Sequence, residues 1–267
     1  PSFFNSNVVK KILSNYGKAD LITSHNCLAH IDNLSQIFNL SKKLLSKNGV
    51  MVLEVGYFYE VLKNNWFDTI YHEHLDYHIF SSLYYFFKKK KFTVFDVEIV
   101  KPQGGSLRIY LKKDENNLSQ LKINNRVKKL LEKEKKVKLN SIIYYRNFSK
   151  NLDQIKQKLN ILLKKIKNNN KIIYGYGAPT KATTLMNFFN IDSSIISYIL
   201  EDNPLKISKF TPNNIKIISA NELNLKKPDY ILILAWNFAE SIIQKNKSFI
   251  KSGGKFIIPL PIPKIIK

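Results

Sequence analysis

YGYGAPTKATTL, residues 174–185, passes from an apolar strand pattern through two glycines into a helical pattern. The run KIIYGYG (171–177) reads as a strand, and a helix follows from Thr180. Gly175 and Gly177 can adopt the backbone angles of a tight turn and let a ligand approach the main chain. A helix starting there aims free N–H groups at an anion, and Lys181 adds positive charge. Beyond this turn the pattern repeats. Strand SYILED (197–202), a strand or loop to Ile218, helix 220–225, strand DYILILAW (229–236), helix 239–251 and strand KFIIPLP follow in order. Strands alternating with helices predict a parallel α/β layer with right-handed crossovers.

Several residues of this half are placed for ligand binding. Glu201 and Asp202, with Asn203 after them, close a strand where a ribose-binding acid commonly lies. Trp236 and Asn237 follow a strand's carboxyl end, the usual crevice of an open α/β sheet, although Trp236 fits a core role equally. Tyr176 can stack on a base or sugar, or simply pack. The third glycine of the dinucleotide fingerprint is replaced by Thr180. Taken alone, the turn fits a nucleotide-binding module or an NAD(P)-dependent oxidoreductase, but no hydride-transfer partner stands near it.

Working back toward the N-terminus, a helix is expected over 5–15 and a strand in ADLITSHN (19–26). Leu34, Ile37, Leu40, Leu44 and Leu45 recur at helical spacing over 33–47, with Asp32 as N-cap and Asn48-Gly49 as the stop. VMVLEVGY (50–57) is the near-continuous apolar strand of a sheet covered on both faces. A helix over 81–91 leads to FTVFDVEIV (92–100), the PQGGS turn and LRIYLKK (107–113), an antiparallel pair at a sheet edge. Residues 115–168 contain neither Gly nor Pro and carry apolar residues at Leu152, Ile155, Leu159, Leu162, Leu163 and Ile166, so they predict a helical bridge. Domains are expected at 1–113 and 114–267, with 114–168 as the bridge.

Composition narrows the classes. The net charge is +23, yet the chain has only three arginines, Arg108, Arg126 and Arg146. Sequence-reading nucleic-acid binders favour the forked guanidinium, so no nucleic-acid partner is expected. A field that favours an anionic substrate is the better reading of the charge. Cys27 is the single cysteine, which excludes an internal disulfide and reads as a small buried thiol in a cytoplasmic protein. No apolar run reaches the ~20 residues of a membrane span, so no membrane partner is expected. The chain shows no signal peptide and does not start with Met, which leads to the expectation that it opens within a domain.

YHEHLDYHIF (71–80) holds three of the five histidines. His72 and His74 would share a face on a strand, as some metal ligands do, but zinc needs three or four ligands. Structural histidines are a second reading. A proton-transfer site is the third: an imidazole titrates near neutrality, and Glu73 or Tyr71 can orient it.

YHEHLDYH, GGSLRIY, YGYGAPTKATTL, ILEDNP with KFTP, and PDYILILAWNFAESI together resemble the sugar C-methyltransferase family. The resemblance covers almost the whole chain and is weakest over 114–168. It implies a methyl transfer from S-adenosylmethionine to a nucleotide-diphosphate-linked keto-deoxysugar. The implied fold is a partial class I methyltransferase (Rossmann-like) sheet, a helical bridge and a second Rossmann-like α/β domain. It assigns His74 as general base, with Tyr71 and Glu73 beside it. Asn26, His30 and Ile31 would line the cofactor side. Gly175, Tyr176, Gly177, Ala178, Pro179 and Lys181 would face the nucleotide. Glu201, Asn203, Trp236 and Asn237 are further substrate candidates, and Arg108 either binds a phosphate or bridges to a core carboxylate. The resemblance places zinc in an N-terminal domain that is expected to be missing ahead of these residues. The cofactor's Gly-rich loop and ribose acid are not found ahead of residue 19, so this chain is expected to bind S-adenosylmethionine poorly. The resemblance does not specify the oligomeric state.

Overall fold

The computed structural model describes residues 2–101, 104–114 and 122–267. Pro102 and Gln103 of the PQGGS turn, and residues 115–121 of the expected bridge, lie outside the described residues. Contacts divide the chain into two compact units: Pro1–Glu60 with His72–Tyr144, and Val61–Tyr71 with Tyr145–Lys267. This division does not coincide with the boundary expected at 113/114. Residues 61–71 pack with the second unit, and 122–144 pack with the first.

The first unit begins with helix α1 (Ser6–Tyr16), whose opening N–H groups at Asn7 and Val8 both donate to the Asn5 side chain at 3.0 Å. Strand β1 (Ala19–His25), helix α2 (Leu34–Leu44) and strand β2 (Leu45–Gly56) follow. The N-cap of α2 is Asn33, which accepts from Gln36 N at 3.0 Å, not Asp32 one residue earlier. Nor do Asn48 and Gly49 stop the helix. It ends at Leu44, and β2 already runs through them. Gly49 serves a different purpose: a Cβ there would lie 2.8 Å from the Leu45 side chain and 3.0 Å from Ala19 O. The close approach accommodates the register shift between β1 and β2 near Ala19 and Leu21.

Helix α3 (Phe58–Lys63) spans the boundary between the units, and α4 (Phe80–Lys89), β3 (Phe92–Val100) and β4 (Ser106–Lys113) complete the sheet of the first. The strand order is β1-β2-β4-β3, with β1 and β2 parallel and β4 antiparallel to both neighbours. This is the mixed, partial Rossmann-like methyltransferase sheet expected from the sequence. Phe38 of α2 packs against Phe86, Phe87 and Phe92, with ring centroids 5.2–5.8 Å apart. Fully burying such a ring stabilises by roughly 2 kcal/mol.

Helix α5 (Asn125–Lys136) packs in this unit through Val127, Leu130 and one buried carboxylate, Glu134. Its Oε1 accepts from Phe80 N at 2.7 Å and from the Tyr57 hydroxyl at 2.9 Å, and its Oε2 accepts from Ser81 N at 2.7 Å. Glu134 therefore caps α4 from another helix, supplying acceptors that the N-cap residue Ile79 lacks. Burial and the adjacent carboxylate together push the Tyr57 hydroxyl pKa upward, so it remains a donor.

The second unit contains most of α6 (Ile142–Asn168), which buries Leu152, Ile155, Leu159, Leu163 and Ile166 along one face. Then come β5 (Ile173–Tyr176), α7 (Thr180–Phe189), β6 (Ile199–Glu201), β7 (Ile217–Ser219) and α8 (Leu223–Lys226). They are followed by β8 (Tyr230–Ile233), α9 (Ala239–Lys245), α10 (Lys247–Lys251), β9 (Lys255–Ile258) and β10 (Lys264–Ile266). The helix expected over 239–251 is broken at Asn246. The sheet order is β10-β9-β8-β5-β6-β7, parallel except for β10. The chain moves outward from β5 through β6 and β7, then returns to β8 on the other side. The β5/β8 seam is thus the topological switch point, where such sheets bind ligands. Among the described residues, no helix is long and apolar enough to cross a membrane.

Glu134→Ala leaves three buried donors without an acceptor. We expect it to lower unfolding stability by about 3 kcal/mol, and Tyr57→Phe by about 1 kcal/mol. A urea titration checks both. A Glu134→Ala midpoint equal to the unsubstituted protein's would remove the cap from this account.

Candidate active site

β1 and β2 run parallel, so their carboxyl ends lie at one edge of the first unit's sheet. After His25, Asn26 turns with φ 51° and donates its N–H to Glu54 O at 2.8 Å. A 3-10 turn over Leu28–His30 follows. Two hydrogen bonds fasten the histidine stretch to this turn. Leu75 N donates to Ala29 O at 2.7 Å, and His30 Nδ1 donates to the Glu73 carbonyl oxygen at 2.7 Å. The His30 and His74 ring centroids lie 4.9 Å apart, and Tyr77 stands edge-on to His74 at 6.1 Å. His74 is half-buried, whereas His72 and Glu73 are exposed. Tyr71 is the last residue of the segment that packs with the second unit, and His72 the first to return to the other.

Other residues of this unit take structural roles. Arg108 donates through Nε and Nη2 to Glu54 Oε2 at 3.2 and 2.8 Å. Of its two expected roles, the structure shows the bridge to a core carboxylate, since Glu54 is buried. His25 Nδ1 lies 3.8 Å from the same oxygen. Cys27 is exposed, contrary to the buried thiol expected: it sits on the turn after β1 with Sγ donating to His25 O at 3.3 Å. Among the described residues, no group of three His, Cys, Asp or Glu side chains is placed to hold a metal ion.

His78 closes the stretch on the inside. It is buried, its Nε2 has no hydrogen-bond partner among the described residues, and its carbonyl accepts from Phe58 N at 2.9 Å. Burial holds its pKa below 6.5, outweighing the opposing pull of Asp76.

In the second unit, β5 ends at the glycine turn. Gly177 has φ 85°, and a Cβ there would lie 2.6 Å from the Ala235 Cβ, so β5 and β8 approach each other closely at the switch point. Pro179 occupies the N-cap position of α7, and Lys181 stands in its first turn, half-buried. Of the two readings open for Tyr176, stacking on a ligand or packing, the structure shows packing. It is 2% exposed within the apolar cluster that includes Leu200, Ile233 and Ala235, and its hydroxyl donates to Asp202 Oδ2 at 3.1 Å. Asp202 also pairs with Lys245. Glu201 folds back on the turn: Oε2 accepts from Ala178 N at 2.8 Å, and Oε1 from Asp202 N and Asn203 N at 2.9 and 3.0 Å. These bonds use the carboxylate that the sequence offered to a ribose. Asn203 caps its own loop by accepting from Leu205 N at 3.0 Å. Asn237 is exposed in the 3-10 turn after β8, and Trp236 beside it is half-buried.

Sequence reasoning passed over Asp68, which is fully buried and accepts from Trp236 Nε1 at 2.7 Å. The cue was WFD (66–68), an acid flanked by large aromatics just ahead of the histidines.

Residues 101–261 match the family described as C-methyltransferase C-terminal domain. The chain belongs to that family. The C-methyltransferase NovU of Streptomyces niveus is 32% identical over 267 residues. That alignment covers 100% of this chain and 63% of the relative, so the chain spans less than two thirds of the relative's length. The family match takes in β4 and α5 of the first unit together with nearly all of the second.

The residues present do not by themselves build a holder for S-adenosylmethionine. Asn26, His30 and Ile31 sit beyond the end of β1, which is an edge strand among the described residues. His30 already bonds the Glu73 carbonyl. No paired-glycine turn joins a strand to a helix in the described residues of this unit.

His78 gives this C-methyltransferase-family chain an acid limit. Its folded pKa is depressed, so the stability it contributes is present above pH 6.5 and is lost as pH falls through the lowered folded value. Urea midpoints measured from pH 7.5 downward should decline below pH 6.5. They should decline less in His78→Asn; an identical acid limb in both proteins would exclude His78 as its source.

Proposed function

We propose that this chain carries the substrate-handling part of an S-adenosylmethionine-dependent C-methyltransferase, acting on a nucleotide-diphosphate-linked keto-deoxysugar. The observation that supports this most is the fastening of the His74 stretch at the carboxyl ends of the parallel strands β1 and β2, through Ala29 and His30. Such a pinned loop holds an imidazole at a defined place, as proton transfer requires. Use of S-adenosylmethionine goes with family membership.

The chemistry proceeds from the ketone. A carbonyl acidifies the adjacent C–H, and an imidazole nitrogen of His74 takes that proton. The negative charge passes to the carbonyl oxygen as an enolate, and the ring carbon becomes the nucleophile for the methyl group. Tyr71 is the candidate hydroxyl donor to that oxygen; a preorganised donor contributes ~3 kcal/mol. Glu73 contributes through its main chain, whose carbonyl locks the His30 ring and the loop together.

The second unit grips the diphosphate. The N–H groups of Thr180 and Lys181 open α7, and the Lys181 ammonium adds a cation. Trp236 and Asn237 flank the same switch point from the end of β8. The surplus of positive charge concentrates anionic substrates around the protein. The rival nicotinamide reading fares worse, because Glu201 folds back on the turn, where it accepts the Ala178 N–H and two further main-chain N–H groups.

His74→Ala should slow deuterium uptake from solvent at the carbon next to the ketone by about 100-fold or more, with thermal stability unchanged. Proton NMR of the nucleotide-linked ketosugar in deuterated buffer reads this directly. Exchange at the unsubstituted rate would assign the base to another residue.

A further inference from the structure

One carboxylate of the second unit is not used in this reaction. Asp68 sits on the 3-10 turn Phe67–Thr69 and is 0% exposed. Its neighbour Phe67 is buried 4.4 Å from the Phe188 ring and edge-on to Phe189 at 5.5 Å, so the turn is fixed by packing. Asp68 Oδ2 accepts from Trp236 Nε1 at 2.7 Å and lies 4.0 Å from Lys181 Nζ. Lys181 Nζ in turn lies 4.8 Å from the centre of the Trp236 ring. Carboxylate, ammonium and indole thus form a closed triangle in which each group contacts the other two. Asp68 Oδ1 has no hydrogen-bond donor among the described residues. A buried carboxylate with an unused oxygen costs stability, and an apolar side chain would fill the site at less cost. The feature that distinguishes aspartate there is its charge.

The other charged groups at the turn have different partners. Glu201, at the end of β6, binds three main-chain N–H groups, and Lys206, from the following loop, donates to Ala178 O at 2.9 Å. Asp68 is therefore the carboxylate that faces Lys181. Burial lowers the Lys181 pKa, and the charge of Asp68 opposes that shift. Burial likewise raises the Asp68 pKa, opposed first by Lys181 and then by the Trp236 hydrogen bond.

We propose that Asp68 is a positioning residue for the anion site of the second unit, holding the Lys181 ammonium charged and laid over the Trp236 face at the head of α7. The inference rests on the reading that the Gly175–Lys181 turn takes a nucleotide diphosphate. It extends that site to residues 61–71, which come from a separate stretch of chain. The interaction with the ring face and the charge of the carboxylate act together: the first orients the ammonium and the second keeps its proton.

The test is thymidine diphosphate binding by titration calorimetry across pH 6 to ~10.5, the ordinary lysine value. For the unsubstituted 267-residue chain, affinity should decline on the alkaline side as Lys181 loses its proton. In Asp68→Asn, which still offers an acceptor to Trp236, the decline should begin at lower pH while affinity at pH 6 changes less than about threefold. Lys181→Met should bind about tenfold more weakly and lose the alkaline decline. A purely structural role for Asp68 would lower affinity equally at all pH values. That result, or an alkaline decline unmoved in Asp68→Asn, overturns the proposal. Should Asp68→Asn not fold, Lys181→Met decides: an alkaline decline like that of the unsubstituted chain overturns it. If the unsubstituted chain takes no thymidine or uridine diphosphate, the nucleotide reading itself fails; binding with an unmoved pH profile fails only the role of Asp68.

Discussion

The burial of Phe67 is the constraint on which the cluster of Asp68, Lys181 and Trp236 in the second unit depends. Its ring sits among Phe188 and Phe189 in the core of the second unit, and that packing joins residues 61–71 to elements far along the sequence. The chain is back in the first unit by His72, and by His78 it is bridged to Tyr57. Within the first unit, the residues from His72 onward are fastened at Ala29, His30 and Tyr57. Loops that carry chemistry work best on such a rigid frame, because a reacting group displaced by an ångström loses much of its effect. For the histidine stretch, the frame is a main-chain hydrogen bond from Leu75 to Ala29 and a bond from the His30 ring to the Glu73 carbonyl.

The polar interior follows a consistent pattern. Glu134 caps α4 from a distant helix, Glu54 holds Arg108 against the sheet, and Glu201 gathers three N–H groups around the glycine turn. Each of these acids offsets its desolvation with two or more hydrogen bonds, and Glu134 does so with donors that are themselves buried. Asp68 differs, keeping one oxygen unsatisfied in full burial. An under-satisfied charge beside a ligand turn points to function more strongly than three well-bonded ones do.

The sequence revealed the architecture where local periodicity carries the information. The apolar run of β2, the glycine turn after β5 and the spacing along α6 each imposed one conformation, and the elements formed there. It failed where a residue's role depends on a distant partner. Asn48-Gly49 has the chemistry of a helix stop, yet the space between Leu45 and Ala19 made Gly49 part of a strand. Tyr176 lies in a ligand-type turn, yet β5 is buried on both faces, which places it in the core. Residues 125–136 look like any lysine-rich linker helix, and only distant partners, those of Glu134 at Tyr57 and α4 and of Arg126 at Asp96, reveal which unit they serve. Asp68 was hidden for the same reason, since its partners lie more than a hundred residues away.

The path of the chain has a consequence for how the second lobe can be inherited. A gene segment encoding only residues 145–267 would encode every strand of its sheet, yet it would omit Phe67 and Asp68. The excised lobe would have a hole in its interior and a lysine without its counter-ion. Shuffling by simple fusion would thus transmit a damaged module. A lineage that inherits this lobe must either take both stretches together or rebuild the missing wedge from new sequence.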